Sequence, residues 1–194
     1  MPEEKDPGAE WMLAVQQGDR SAFNSIVETY QAPVFCLLRR LLGSAAVIED
    51  LAQETFIRLW RSRDRYQPRG HLSTFLFRIA YNLALNNIRD RKRKPAGSLP
   101  VSPDGELMPI EDSAVATPFE APDQASWAAL VERALQQLPE NQRAALVFQH
   151  YDDFELAEIG EVLGISPKAA KSLCHRAREN MRQLLAPYRE AEND

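Results

Sequence analysis

Between Pro95 and Ser126 the chain has no lysine or arginine, while it has prolines at 95, 100, 103, 109, 118 and 122. The same stretch carries Asp104, Glu106, Glu111, Asp112, Glu120 and Asp123. A segment with this composition reads as an extended, flexible acidic linker that cannot bury a core. The 194 residues are therefore expected to divide into two small units, 1–95 and 127–190, with 96–126 as the tether between them.

Both units read as helical. Apolar residues recur at spacings of three and four, and no convincing alternation of strand type is present, so the expected class is all-α. The first unit opens with a helix near Glu10 to Gln17 that breaks at Gly18. A second helix starts after Asp19 or Arg20 and turns Phe23, Ile26, Val27 and Tyr30 inward. Pro33 opens or kinks a third, which buries Val34, Leu37, Leu38 and Leu41. In the next helix Ile48, Leu51, Ala52, Thr55 and Leu59 form an inward stripe. Asp50, Gln53, Glu54, Ile57 and Arg61 form a different face, and an isoleucine among polar groups suits a partner surface.

The segment RYQPRGHLS is a Pro/Gly turn. The helix after it sets Arg78, Asn82, Asn86 and Arg89 on one side, where amide and guanidinium groups suit base edges and phosphates. Tyr66, Phe75, Phe77 and Tyr81 lie around this basic region. Aromatic groups at helical spacing are mostly core, so one or two are expected to reach nucleic acid.

In the second unit Leu156, Ile159 and Leu163 define a short helix. Gly164 tolerates the left-handed conformation at its end, Ile165 plugs the corner, Ser166 suits an N-cap and Pro167 the first helical position. The next helix buries Ala170, Leu173, Ala177, Met181 and Leu184, while Lys168, Lys171, Ser172, His175, Arg176, Arg178 and Arg182 lie on its other side. Helix, tight turn and basic helix make a helix-turn-helix pattern, whose second helix enters the major groove. An ordinary helical hairpin with a solvated basic face is the plainer reading of the same spacing.

The formal net charge of −5 conceals this segregation. From Arg58 to Lys94 eleven basic residues face only Asp64 and Asp90. Net charge governs solubility and long-range steering, whereas binding depends on the local field. Cys36 and Cys174 are far apart in sequence and form neither a disulfide framework nor a zinc pattern. No metal or other cofactor is expected. No apolar run is long enough to span a membrane and the N-terminus does not read as a signal peptide, so the expected location is cytoplasmic.

EDLAQETFIRLWR followed by YQPRGHLSTFLFRIAYNLALNNIRDRKR resembles region two of the extracytoplasmic-function (ECF) sigma factors of bacterial RNA polymerase. LQQLPENQRAALVFQHYDDFELAEIGEVLGISPKAAKSLCHRARENMRQLL resembles their region four. The resemblance implies an alternative sigma factor that binds core polymerase and directs promoter-specific initiation. Asp50, Gln53, Glu54 and Ile57 would dock on the clamp helices of the β′ subunit. Arg69, His71, Leu72, Ser73 and Thr74 would capture a base flipped from the −10 element, with Arg78, Asn82 and Asn86 on the adjacent DNA. Lys168, Lys171, Ser172, His175, Arg176 and Arg178 would read the −35 element, and the helices from Trp127 to Arg143 would support contact with the β flap. An anti-sigma protein is implied as the inhibitor.

Two positions depart from the family pattern: His71-Leu72-Ser73 where Asp and Ser commonly follow the glycine, and Ala169-Ala170-Lys171 where Val and Arg are common. Both lie where promoter bases are read, so they bear on promoter sequence and not on class. Two other readings remain open: a DNA-binding regulator that never engages polymerase, and a sigma-like decoy for an anti-sigma protein. An enzyme is the weakest reading, since no phosphate loop, metal spacing or nucleophile–base pair is present.

Overall fold

The computed structural model describes residues 7–43, 46–93, 127–151 and 154–191. The tether, 96–126, lies outside these residues. Within them the chain forms eight α-helices, one 3-10 turn and no strand. They are α1 (Pro7–Gln16), α2 (Arg20–Leu42), α3 (Ile48–Ser62), the turn Arg63–Arg65, α4 (Leu72–Arg93), α5 (Trp127–Gln137), α6 (Glu140–Tyr151), α7 (Leu156–Leu163) and α8 (Pro167–Ala191).

Asp19 starts α2 as its N-cap, accepting from the backbone N–H groups of Ser21 and Ala22. Those hydrogen bonds, with one from the Ser21 hydroxyl the strongest influence, hold its carboxyl below the usual range. The helix then runs through Pro33 without a break. The expected separate third helix is therefore the second half of α2. Proline removes one backbone hydrogen bond, but Ile26, Val34, Leu37, Leu38 and Leu41 form one buried stripe along the whole helix. Packing of that stripe on α3 and α4 outweighs the local cost.

The first unit is a bundle of α1 to α4. Gly8 allows a close approach of α1, because a Cβ there would stand 2.8 Å from the Tyr30 hydroxyl oxygen and 2.9 Å from Leu72 Cβ. In α3 the inward stripe is observed: Ile48, Thr55 and Leu59 are buried, and the Thr55 hydroxyl donates to Leu51 O at 2.7 Å. Tyr66, Phe77 and Tyr81 are buried, so these three aromatic groups serve the core; Phe75 is half-buried.

In the second unit α7 ends at Gly164, which has φ 68°, and Ile165 N–H donates back to Gly160 O at 2.9 Å. Ser166 Oγ accepts from Ala169 N–H at 3.2 Å, which caps α8. Ala170, Cys174 and Ala177 are fully buried beneath α8. Leu135, Leu138, Leu146 and Ala177 form a small cluster against α5, joined by Val131, Met181 and Leu184.

The two units are not separate bodies in this structure. One hydrophobic cluster runs from Met12 through α4 to Phe148, Phe154, Ile159 and Cys174. Across the boundary Phe77 stacks on Phe154 (centroids 5.6 Å apart), which stacks on Phe148 (5.5 Å); Tyr81 meets Phe148 edge-on. The last turn of α2 leaves carbonyl groups without helical partners. Arg143 donates to Leu41 O, and Gln136 Nε2 donates to Arg40 O at 2.9 Å. Arg143 also donates to the backbone oxygens of Gln136 and Leu138, at 2.7 and 3.2 Å. Burial holds its pKa below that of an ordinary guanidinium.

Candidate nucleic-acid and polymerase interfaces

The turn between α3 and α4 and the start of α4 enclose a cleft of about 490 Å³. This is within the roughly 300–1,000 Å³ of typical ligand pockets. Arg69, Gly70, His71, Thr74 and Arg78 line it together with Arg65, Gln67 and Phe75. Its chemistry suits a nucleotide: guanidinium groups for phosphate, an imidazole and amide for base edges, and aromatic faces for stacking. Arg69 donates to Gln67 Oε1 at 2.7 Å, and the Arg78 guanidinium lies over the Phe75 ring, 5.3 Å from its centroid.

The candidate residues of this region divide into three groups. Arg69, His71, Asn82 and Asn86 are exposed, and Ser73 and Arg78 are half-buried. Leu72 is fully buried, so its side chain fills the core and not the cleft. Thr74 is 3% exposed and its hydroxyl donates to Glu158 Oε1 at 2.8 Å. Asn82 and Asn86 continue along α4 beyond the cleft residues. Arg65, Gln67 and Glu161 were missed by sequence reasoning; the first two sit in a turn whose conformation no periodicity reports, and the third comes from the other unit.

On α8 the side chains Lys168, Lys171, Ser172, His175, Arg176 and Arg178 are all exposed. Ser172 donates to Lys168 O at 3.2 Å and Arg176 to Ser172 O at 3.4 Å. Lys168, Lys171 and His175 recur at spacings of three and four, which gives them one face of the helix. On α3, Asp50, Gln53 and Ile57 are exposed, Ile57 at 43%, while Glu54 is half-buried and accepts from Arg58 Nε at 2.7 Å. An isoleucine this exposed beside three polar or acidic residues gives α3 a surface of mixed apolar and polar character, the composition found at protein interfaces.

Four acidic residues of the second unit meet donors of the first. Glu158 accepts from Thr74, and Glu161 pairs with Arg78 at 3.2 Å. Glu140 pairs with Lys92, and Glu132 with Arg39 at 2.6 Å. Tyr81 donates to Asn141 Oδ1 at 3.1 Å. Glu158 also accepts from the Glu155 N–H at 2.9 Å, so one carboxylate caps α7 and reaches the first unit at once. No cluster suited to a metal ion occurs among the described residues, and no helix among them is long and apolar enough to cross a membrane.

Comparison with known proteins matches the two units separately. Residues 26–94 match Sigma-70 region 2, and residues 128–181 match Sigma-70, region 4. A region 2 bundle followed by a region 4 helix-turn-helix defines a transcription initiation factor of the sigma class. The chain is 34% identical over 175 residues to the ECF RNA polymerase sigma factor SigW of Bacillus subtilis, covering 88% of this chain and 92% of that one. It is 32% identical over 177 residues to the RNA polymerase sigma-H factor of Pseudomonas aeruginosa, covering 89% and 91%. The chain belongs to the ECF sigma factors, which join core RNA polymerase and direct it to promoter DNA.

Two solved structures share the fold. One is that of CnrH in complex with the cytosolic domain of CnrY, with a TM-score of 0.68, 23% identity, and coverage of 94% of this chain and 99% of that one. The other is the sigma factor RpoE in complex with the anti-sigma factor NepR from Bartonella quintana, with a TM-score of 0.66, 22% identity, and coverage of 84% and 96%.

Proposed function

We propose that the cleft at the α3–α4 turn receives a single base extruded from the −10 element, while α8 reads the −35 element in the major groove. The observation that carries this is the convergence of Arg69, His71, Thr74 and Arg78 on one cleft. Extruding a base costs a few kcal/mol of stacking and pairing. A cleft with phosphate-seeking guanidinium groups and an aromatic wall offsets that cost, so recognition and melting become one event. Asn82 and Asn86, further along α4, hold the DNA next to the extruded base. Leu72 supports the cleft from the core.

On α8, Lys168, Lys171, Ser172, His175 and Arg176 face base edges and nearby phosphates, and Arg178 contacts phosphate. Asp50, Gln53, Glu54 and Ile57 dock on the β′ clamp helices, and the helices from Trp127 to Arg143 support the β flap. Division of labour with polymerase explains how an acidic chain works on a polyanion. Polymerase supplies most phosphate contacts and holds both units near the promoter; this chain supplies base contacts. The protein acts in the cytoplasm, catalyses no reaction of its own, and is held inactive by an anti-sigma protein.

The test uses purified chain and bacterial core RNA polymerase in gel filtration, with Glu54→Lys and Ile57→Asp beside the unaltered protein. Stoichiometric co-elution that both substitutions abolish supports docking through α3. A folded chain that fails to co-elute at micromolar concentration would overturn the reading and favour a free-standing regulator or a decoy. Arg69→Ala, assembled into holoenzyme, should bind polymerase normally and lose promoter opening.

A further inference from the structure

We propose that Gln16 is a positioning residue for base capture: through it α1 splints the α3–α4 turn in the shape that receives a base. This rests on the cleft being the −10 site. α1 lies wholly before residues 26–94, the part of the chain that matches Sigma-70 region 2. It packs on α2, on the turn Arg63–Arg65 and on α4. The side-chain nitrogen of Gln16 donates to two backbone oxygens, Arg63 O at 2.6 Å and Tyr66 O at 2.8 Å. A primary amide has two hydrogens to give, one for each carbonyl. Arg63 O also accepts from the Tyr66 N–H at 3.1 Å, which closes the 3-10 turn.

These bonds set the direction in which the chain enters the cleft. Tyr66 leaves the turn in extended backbone, with φ −63° and ψ 135°, and Gln67, Arg69, Gly70 and His71 then form the cleft wall. The Tyr66 ring is buried edge-on against Phe75, with centroids 5.6 Å apart. Its carbonyl is thus held by α1 and its ring by α4. The Arg63 side chain turns back onto α3, donating to Trp60 O at 3.0 Å with its guanidinium 4.6 Å from the Trp60 ring centroid.

The far end of the same segment is Leu72, which is fully buried and closely approached by α1 at Gly8. Gly8 and Gln16 stand about 12 Å apart along the helix at ~1.5 Å per residue. The chain from Tyr66 to Leu72 can extend to roughly 20 Å, so it has slack to bow outward. Residues 67–71 are all exposed, so no burial takes up that slack. The shape of the cleft wall is therefore imposed at its two ends, and α1 touches both.

Order at the wall matters because an extruded base offsets its lost stacking only in a cleft already formed. If loss of both Gln16 bonds leaves the turn in its receiving shape about 10% of the time, capture of the right base weakens about tenfold. A wrong base gains nothing from the cleft and loses nothing. The preference at that one position shrinks by the same factor, while −35 preferences, read by α8, stay as they were.

The test uses the full chain and the holoenzyme. Gln16→Met keeps the length of the side chain and removes both donors. Amide exchange of residues 67–71 in the free chain, followed by mass spectrometry, reads the splint. Positioning is read by mixing holoenzyme with duplex DNA randomised across the −10 and −35 elements and sequencing the molecules retained after a heparin challenge. Gln16→Met should speed exchange in the turn, flatten one −10 position about tenfold, and leave −35 preferences and co-elution with core polymerase unchanged. Ile26→Val, which loosens the same core from α2, should lower thermal stability and leave base preferences alone.

Unchanged exchange in Gln16→Met overturns the splint, whatever the cleft binds. Faster exchange with the −10 preference intact overturns the positioning role, provided Arg69→Ala flattens a −10 position in the same selection. Loss of −10 and −35 preferences together overturns it in favour of general destabilisation. If Arg69→Ala leaves every −10 position as it was, the −10 reading fails and the positioning role fails with it.

Discussion

The Thr74 hydroxyl donates to Glu158 Oε1 at 2.8 Å across the boundary between the two units, although donor and acceptor are 84 positions apart in the chain. The other oxygen of the same carboxylate accepts from the Glu155 N–H at 2.9 Å. One side chain therefore organises the first turn of the helix-turn-helix and its contact with the cleft at the α3–α4 turn. Thr74→Val keeps the shape and removes the donor. Glu158 is only half-buried, so water can replace part of the lost bond. The expected cost is about 0.5–1.5 kcal/mol, read by urea unfolding, with no further loss in a Glu158→Ala background, which lacks the acceptor. Equal losses in both backgrounds would show that the bond contributes nothing.

The turn of the helix-turn-helix depends on a missing side chain. A Cβ at Gly160 would stand 2.8 Å from Ile165 O, a backbone atom that cannot rotate away. Gly160→Ala should destabilise the second unit by roughly 1–3 kcal/mol, the usual cost of overpacking. Gly164→Ala meets no atom within 4 Å but needs φ +68°; its cost is about 1–2 kcal/mol. Thermal unfolding of both variants checks the pair, and a Gly160→Ala protein as stable as the original would refute the close approach.

Positions two residues apart on α3 should separate binding from stability. Ile57 is 43% exposed and Leu59 is fully buried. Leu59→Ala should cost about 2–5 kcal/mol. Ile57→Ala should change stability by no more than about 0.5 kcal/mol while weakening association with core polymerase. Denaturant unfolding beside co-elution measures both effects.

The two cysteines should differ in reactivity. Cys36 is exposed and Cys174 is fully buried under α8. Burial is the main reason the Cys174 thiol is pushed above its ordinary 9.0. Iodoacetamide should modify Cys36 alone in the native protein and both residues in urea, as mass spectrometry would show. The sign with pH follows from the raised value. The contribution of the buried thiol is fully present below pH 9.0 and is lost as pH rises through its folded-state pKa. Tyr81, whose hydroxyl is raised above 10.0 chiefly by burial, adds to the same alkaline loss. Cys174→Ala should therefore flatten stability measured above pH 9.0, at the cost of a small cavity.

Salt dependence should distinguish phosphate contacts from base contacts on α8. Arg178→Ala should reduce the slope of log affinity against log salt by about 1, and weaken all −35 sequences alike. Lys171→Ala should also relax the preference at one base pair, by about 1–3 kcal/mol. Binding of holoenzyme to a panel of −35 duplexes at several salt concentrations gives both quantities. Identical behaviour of the two variants would place both residues on phosphate.

Local chemistry determined much of this molecule from its sequence. Helical spacing identified the buried stripe of α3 and the exposed basic row of α8, because each depends only on 3.6-residue periodicity and on where charge can be solvated. Gly164, Ser166 and Pro167 marked their turn because their backbone demands are intrinsic. Pro33 misled for the opposite reason: a local penalty was overruled by a stripe of apolar residues packed on two other helices. Leu72 was assigned to the DNA-facing turn, yet its side chain is in the core, since a turn's sequence does not report which way each side chain points. Only the tertiary structure decided the rest. It closed Arg69, His71, Thr74 and Arg78 into one cleft, and it set Glu158 and Glu161 of α7 against Thr74 and Arg78 of α4. Those pairings join residues more than 80 positions apart, and no period or propensity carries information over that distance. They exist because the packed aromatic groups of two helical units bring their opposite charges together.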